Sequence, residues 1–102
     1  MDDFELFDPT PSKAEIEEAY DALEEIYKNF KIWFPFEPGD DKEQMAERFA
    51  ITKLNLELGE YSFEDLEYLK RLRPQASSIE KYSDAIGVFV RALSSEFGVD
   101  YW

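Results

Sequence analysis

The chain contains neither cysteine nor histidine. Without cysteine there is no disulfide, no thiolate metal site and no thiol nucleophile. Without histidine the commonest general base and the commonest transition-metal ligand are missing, and with them every Ser-His or Cys-His constellation. Basic residues are scarce, 11 Lys and Arg against 24 Asp and Glu, and the formal net charge is −13. Direct binding to nucleic acid or to an anionic membrane would work against that field. No apolar run approaches the ~18 residues of a membrane span, and Met1-Asp2-Asp3-Phe4-Glu5 is acidic where a signal peptide is basic and then apolar. A cytoplasmic protein is expected. Paired carboxylates are the only catalytic chemistry within reach, and on an exposed helix face they lack the desolvation that raises a carboxyl pKa for acid work. Asp40-Asp41 after Gly39 lacks the alternating ligands and the closing acid of an EF-hand loop. No enzymatic activity, cofactor or metal centre is therefore expected.

What is present is apolar enough to fold. Hydrophobic residues make up 44% of the 102 residues and aromatics 17%, including nine Phe and six Tyr, which suits one domain with one core. Pro9 and Pro11 disfavour helix around Thr10, so residues 1–11 read as an extended arm and residues 12–102 as a single helical domain. Ser12 and Glu15 have capping-box spacing. After them Ile16, Ala19, Tyr20, Leu23, Ile26, Tyr27 and Phe30 share one side of a helical wheel, while Glu17, Glu18, Asp21, Glu24 and Glu25 fall opposite.

The segment 31–39 carries Trp33, Phe34 and Phe36 but cannot continue the helix past Pro35 and Pro38. Asp40 with Glu43 repeats the capping-box spacing and predicts a second helix to Leu58, stopped by Gly59. Its apolar residues, Met45, Ala46, Phe49, Ala50, Ile51, Leu54, Leu56 and Leu58, spread around much of the wheel, which predicts a central helix. Ser62 opens a third, with Phe63, Leu66, Leu69 and Leu72 as its stripe and Pro74 as its end; Lys70, Arg71 and Arg73 complement its dipole. Ser77 with Glu80 predicts a cap for a fourth, whose stripe is Ile79, Tyr82, Ile86, Phe89, Val90, Leu93 and Phe97 and whose stop is Gly98. The expected fold is all-α, a small antiparallel bundle of about four helices with an extended acidic N-terminal arm.

Charge points to a function. Ten of the 24 acidic residues lie in the first 30 positions, against only Lys13 and Lys28. Helix neighbours three and four apart stand about 5–6 Å from each other, broadly like successive phosphates on a nucleic-acid strand. A helix bearing Glu17, Glu18, Asp21, Glu24 and Glu25 could thus act as a DNA mimic toward a basic, nucleic-acid-binding protein. Small acidic proteins of phages and mobile elements that block restriction or CRISPR proteins offer an analogy of charge and size, and immunity proteins against basic nucleases fall in the same physical class. The arm interleaves Phe4, Leu6 and Phe7 with Asp2, Asp3, Glu5 and Asp8, a composition that docks into grooves greasy in the middle and basic at the rim. Alternatively those apolar residues fold back on their own bundle. Trp33 and Phe34 either cap the core or offer an adhesive surface, and Tyr101-Trp102 is a weaker case of the same ambiguity.

Two roles are set against each other: an inhibitor or decoy acting through the acidic helix, and an adaptor or assembly module acting through the arm, Trp33 and Phe34. Ala46 to Leu58 followed by Tyr61-Ser62-Phe63-Glu64-Asp65-Leu66 faintly resembles small helical domains of phage helicase loaders, with no residue role carried over. A homodimer is a further expectation, because the second and fourth helices carry more apolar surface than one small bundle hides.

Overall fold

Ser12 begins the first helix as its spacing predicts. In the structure, a computed structural model that describes residues 11–99, the Ser12 hydroxyl accepts from the Glu15 N–H at 3.2 Å and the Glu15 carboxylate accepts from the Ser12 N–H at 2.9 Å. Helix α1 then runs over Lys13–Lys28. Asn29 closes it, its side-chain amide donating to the Glu25 carbonyl at 3.1 Å, and a single further turn, α2 (Phe30–Trp33), follows. Ala19, Ala22, Leu23, Ile26 and Phe30 are buried; Tyr27, expected in the stripe, lies at its edge, 43% exposed. The arm residues Asp2, Asp3, Phe4, Glu5, Leu6, Phe7 and Asp8 lie outside the described residues, as do Tyr101 and Trp102.

Helix α3 (Lys42–Leu58) is capped one residue later than expected. Asp41 accepts from the Gln44 N–H at 3.0 Å, whereas Asp40 turns back to accept from the Glu37 N–H at 2.7 Å and closes the preceding turn. Gly59 ends the helix in the left-handed region, φ 72°, where only glycine is free of the Cβ penalty. The larger correction concerns its position. Ala46, Phe49, Thr52 and Leu56 are buried and half-buried Met45 packs against the core, while Ile51, Leu54 and Leu58 are about half exposed. These three stand on the opposite side of the wheel, so α3 is a flanking helix rather than the central one.

Helix α4 (Phe63–Gln75) opens on a capping box between Ser62 and Asp65 and buries Leu66, Leu69 and Leu72 as predicted, whereas Phe63, expected in the same stripe, sits in the first turn and is 47% exposed. Pro74 does not end it. It sits in the last turn, where the missing N–H forfeits one bond with no further turn beyond it to disrupt. The expected Ser77–Glu80 cap does not form either. Turn bonds from Ser77 N–H to the Pro74 carbonyl and from Ile79 N–H to the Ala76 carbonyl wind the connection around buried Ala76. Ile79 is thereby the N-cap of α5 (Glu80–Phe97), with no side-chain cap bond. Packing of half-buried Ile79 against the core has displaced a polar cap.

The central helix is α5. Ala85 through Val90 are all buried, as are Tyr82, Leu93 and Ser94, and α5 packs on both α1 and α4. The absent side chain at Gly87 leaves room for the Arg73 side chain of α4. Along α1 and α5 the partners are Glu15 with Arg91, Tyr20 with Phe89, and Glu25 with Lys81. Across α1 and α3 they are Tyr20 with Leu56 and Glu24 with Lys53; across α3 and α4, Thr52 with Asp65 and Arg48 with Tyr68. Each pairing runs in opposite chain order, so these helices are antiparallel neighbours. The described residues form five helices and no strand, 76% of them helical.

Candidate functional site

The cap and the buried stripe together fix which way α1 turns its carboxylates. Glu17, Glu18 and Asp21 are exposed, and none has an ion pair within 4 Å among the described residues. Glu24 and Glu25, predicted to belong with them, are engaged elsewhere. Glu24 meets Lys53 at 2.7 Å, and the same ammonium holds Glu57 at 2.9 Å. Glu25 pairs with Lys81 and stands 3.5 Å from the Tyr82 hydroxyl.

The titration of these groups follows their partners. A hydrogen bond from Lys53 holds the Glu24 carboxyl below its ordinary value, and one from Lys81 does the same for Glu25. Burial of the Lys53 ammonium pulls its pKa down, but hydrogen bonds to Glu24 and Glu57 outweigh that and raise it on balance; Lys81 is raised by its bond to Glu25. Glu15 is lowered chiefly by the Ser12 backbone N–H, with help from the Ser12 hydroxyl and from Arg91. The acidic side of α1 therefore divides into a rim tied to α3 and α5 and an outward wall of Glu17, Glu18 and Asp21.

Beside the wall lies an open groove of about 890 Å³. Glu15, Glu18 and Asp21 edge it along α1, and Asp84, Lys81 and Arg91 line it from α5, over a floor of Ala19, Ala22, Ala85, Gly87 and Val88. Arg73 enters from α4 and rests against Gly87. A Cβ at position 87 would stand 2.7 Å from the Arg73 guanidinium carbon.

Trp33 and Phe34, the predicted loop contacts, are half-buried at the aromatic end of the core. Trp33 donates from Nε1 to the Ile26 carbonyl at 3.1 Å, and Phe34 stacks on Phe30 at 4.9 Å between ring centres. Phe30 in turn stacks on Phe49 at 5.6 Å.

Two features escaped sequence reasoning. The first is Asp65, 2% exposed, which accepts from the Thr52 hydroxyl at 3.0 Å, from Asn55 Nδ2 at 3.1 Å and from the Ser62 N–H at 3.0 Å, with Arg48 at 3.6 Å. The Ser62-x-x-Asp65 spacing and a threonine amid the apolar positions of α3 were its signals. The second is the exposed apolar row of Ile51, Leu54 and Leu58, recognisable from their shared wheel position once α3 is known to flank the bundle. No cluster of three or more His, Cys, Asp or Glu suited to a metal ion occurs among the described residues. No helix among them is long and apolar enough to cross a membrane.

No protein-family model matches the chain, and searches of the curated proteins and of the solved structures likewise return no match.

Proposed function

We propose that the chain is a non-enzymatic inhibitor or decoy, built on an antiparallel bundle of four long helices, that presents the wall of α1 to the basic, nucleic-acid-binding surface of another protein. One observation carries the reading. Glu17, Glu18 and Asp21 stand exposed and without ion pairs on a helix capped at its start and anchored along its other side, while Glu24 and Glu25 are held by lysines. A row of unpaired carboxylates on a rigid support loses little conformational freedom on binding and steers a cationic partner by its field. The arm acids Asp2, Asp3, Glu5 and Asp8 add charge to the same end of the sequence. This is a DNA-mimic mechanism of the kind used by anti-restriction proteins of phages, and it needs no cofactor, no membrane and no contact with nucleic acid itself.

The test is competition. Added in excess at low salt, the protein displaces DNA from a basic DNA-binding target, and Glu17→Lys, Glu18→Lys and Asp21→Lys together abolish the displacement. Neutralising Glu24 has a smaller effect, because that carboxylate already has an internal partner. Affinity falls steeply between about 50 and 200 mM salt. Displacement that survives the triple reversal would refute the reading.

A second reading, an adaptor or assembly module, is favoured by the half-exposed row of Ile51, Leu54 and Leu58. Its complexes would be insensitive to salt and lost in Leu54→Gln.

A further inference from the structure

A separate surface lies near the C-terminal end of α1, between α3 and α4. Phe30, Phe34, Met45, Tyr68 and Leu72 line an apolar pocket of about 210 Å³, room for one aromatic side chain. In a chain of net charge −13 its rim is basic, carrying Arg48 and Arg71. The Arg48 guanidinium lies 4.4 Å from the centre of the Tyr68 ring, with Asp65 at 3.6 Å. Arg71 is exposed and has no ion pair within 4 Å among the described residues. A pocket greasy at its floor and cationic at its edge selects an aromatic side chain flanked by carboxylates.

The chain carries such a segment in Asp2-Asp3-Phe4-Glu5-Leu6-Phe7-Asp8. Covalent reach decides which copy supplies it. Pro11 is buried at the start of α1, whereas the pocket includes Phe30, just past the other end, and no α1 residue lines it. At 1.5 Å per residue α1 alone is ~24 Å long. Phe7, four residues from Pro11, extends no further than ~14 Å from it, and Phe4 could approach only with the chain drawn straight along the bundle and then around to the α3–α4 side. A neighbouring molecule has no such limit. We propose that Phe4 or Phe7 of one copy seats in this pocket of a second copy, with the adjoining carboxylates on Arg48 and Arg71. This contact is independent of the α1 wall, which it leaves free.

Sedimentation of the full chain at rising concentration and low salt tests it. Mass should climb from monomer toward dimer or beyond. Phe4→Ser with Phe7→Ser on one side, and Arg71→Glu on the other, should each weaken association about tenfold, or ~1.4 kcal/mol. Arg71 is exposed, so its variant should keep the wild-type circular dichroism. A synthetic peptide of residues 1–10, added in excess, should return the wild type to monomer. The proposal is overturned by a monomer at every concentration, which would leave the pocket to the chain's own arm or to none. Self-association that ignores both variants but disappears in Leu54→Gln would also overturn it, by assigning the contact to the α3 apolar row.

Discussion

Asp65 shows how much a single buried side chain can organise. Its two oxygens satisfy the cap of α4 and two side chains of α3 at once, so removing it strands several donors rather than one. Asp65→Ala should therefore cost ~2–4 kcal/mol, well beyond the ~1 kcal/mol of an ordinary lost cap. Urea denaturation would measure it, with Asp65→Asn losing less because the amide oxygen still accepts. A cost under about 0.5 kcal/mol would mean that water replaces the carboxylate and that the α3–α4 contact rests on packing alone. Gly87 is instructive for the opposite reason. Helix interiors disfavour glycine, yet here the absent Cβ leaves the space in which the Arg73 guanidinium lies.

At the scale of the element, α3 and α5 exchange the roles that hydrophobicity assigns them. Leu54 is 52% exposed and Phe49 fully buried on the same helix. Leu54→Gln should change stability by less than about 0.5 kcal/mol, while Phe49→Ala should cost ~3–5 kcal/mol. Thermal or urea unfolding of the two variants separates them, and equal losses would place α3 at the centre after all.

The same contrast explains what the sequence made legible. Signals confined to one turn or one helix face were readable: the Ser12–Glu15 box, the stops at Gly59 and Gly98, and the Leu66, Leu69 and Leu72 stripe. Centrality was not, because it depends on which faces other helices cover, and α5 gains it through Ala85 and Gly87, whose small size hides how deeply they sit. The outward turn of Glu17, Glu18 and Asp21 followed from the wheel. The diversion of Glu25 did not, because Lys81 lies 56 residues away. Asp40 and Ser77 were misread as caps because side chains of the right type were also free to close turns or face solvent.

For the whole molecule, the ion pairs set a pH profile. Glu15, Glu24 and Glu25 titrate below the ordinary 4.5 when folded, so their stabilisation is whole above that value and is lost as the pH falls through the lowered ones. Lys53 and Lys81 are raised above 10.5. Their stabilisation is whole below that value and is lost as the pH climbs through the raised ones. Tyr61, hydrogen-bonded to Glu96 and pushed up from 10.0 to about 12, acts in the same sense, since the unfolded phenol ionises first. Melting temperature should thus decline toward both extremes, with its maximum on the acid side of neutrality, near pH ~5–6, where easing self-repulsion adds to intact pairs. Melts from about pH 3 to about pH 11 check this, and Glu24→Gln with Glu25→Gln should flatten the acid limb. An unaltered acid limb would show that the α1 rim pairs add nothing.

The place of α5 also bears on how the chain is made. Helices α1 and α4 meet their main packing partner only in Glu80–Phe97, the last in chain order of the described helices. The nascent chain before that point holds Leu23, Ile26, Leu66 and Leu69, all buried in the finished fold, without the helix on which α1 and α4 chiefly pack, so it would emerge as a sticky, unfinished surface. Closure of the bundle then waits on α5 and is a single step once that helix has been made.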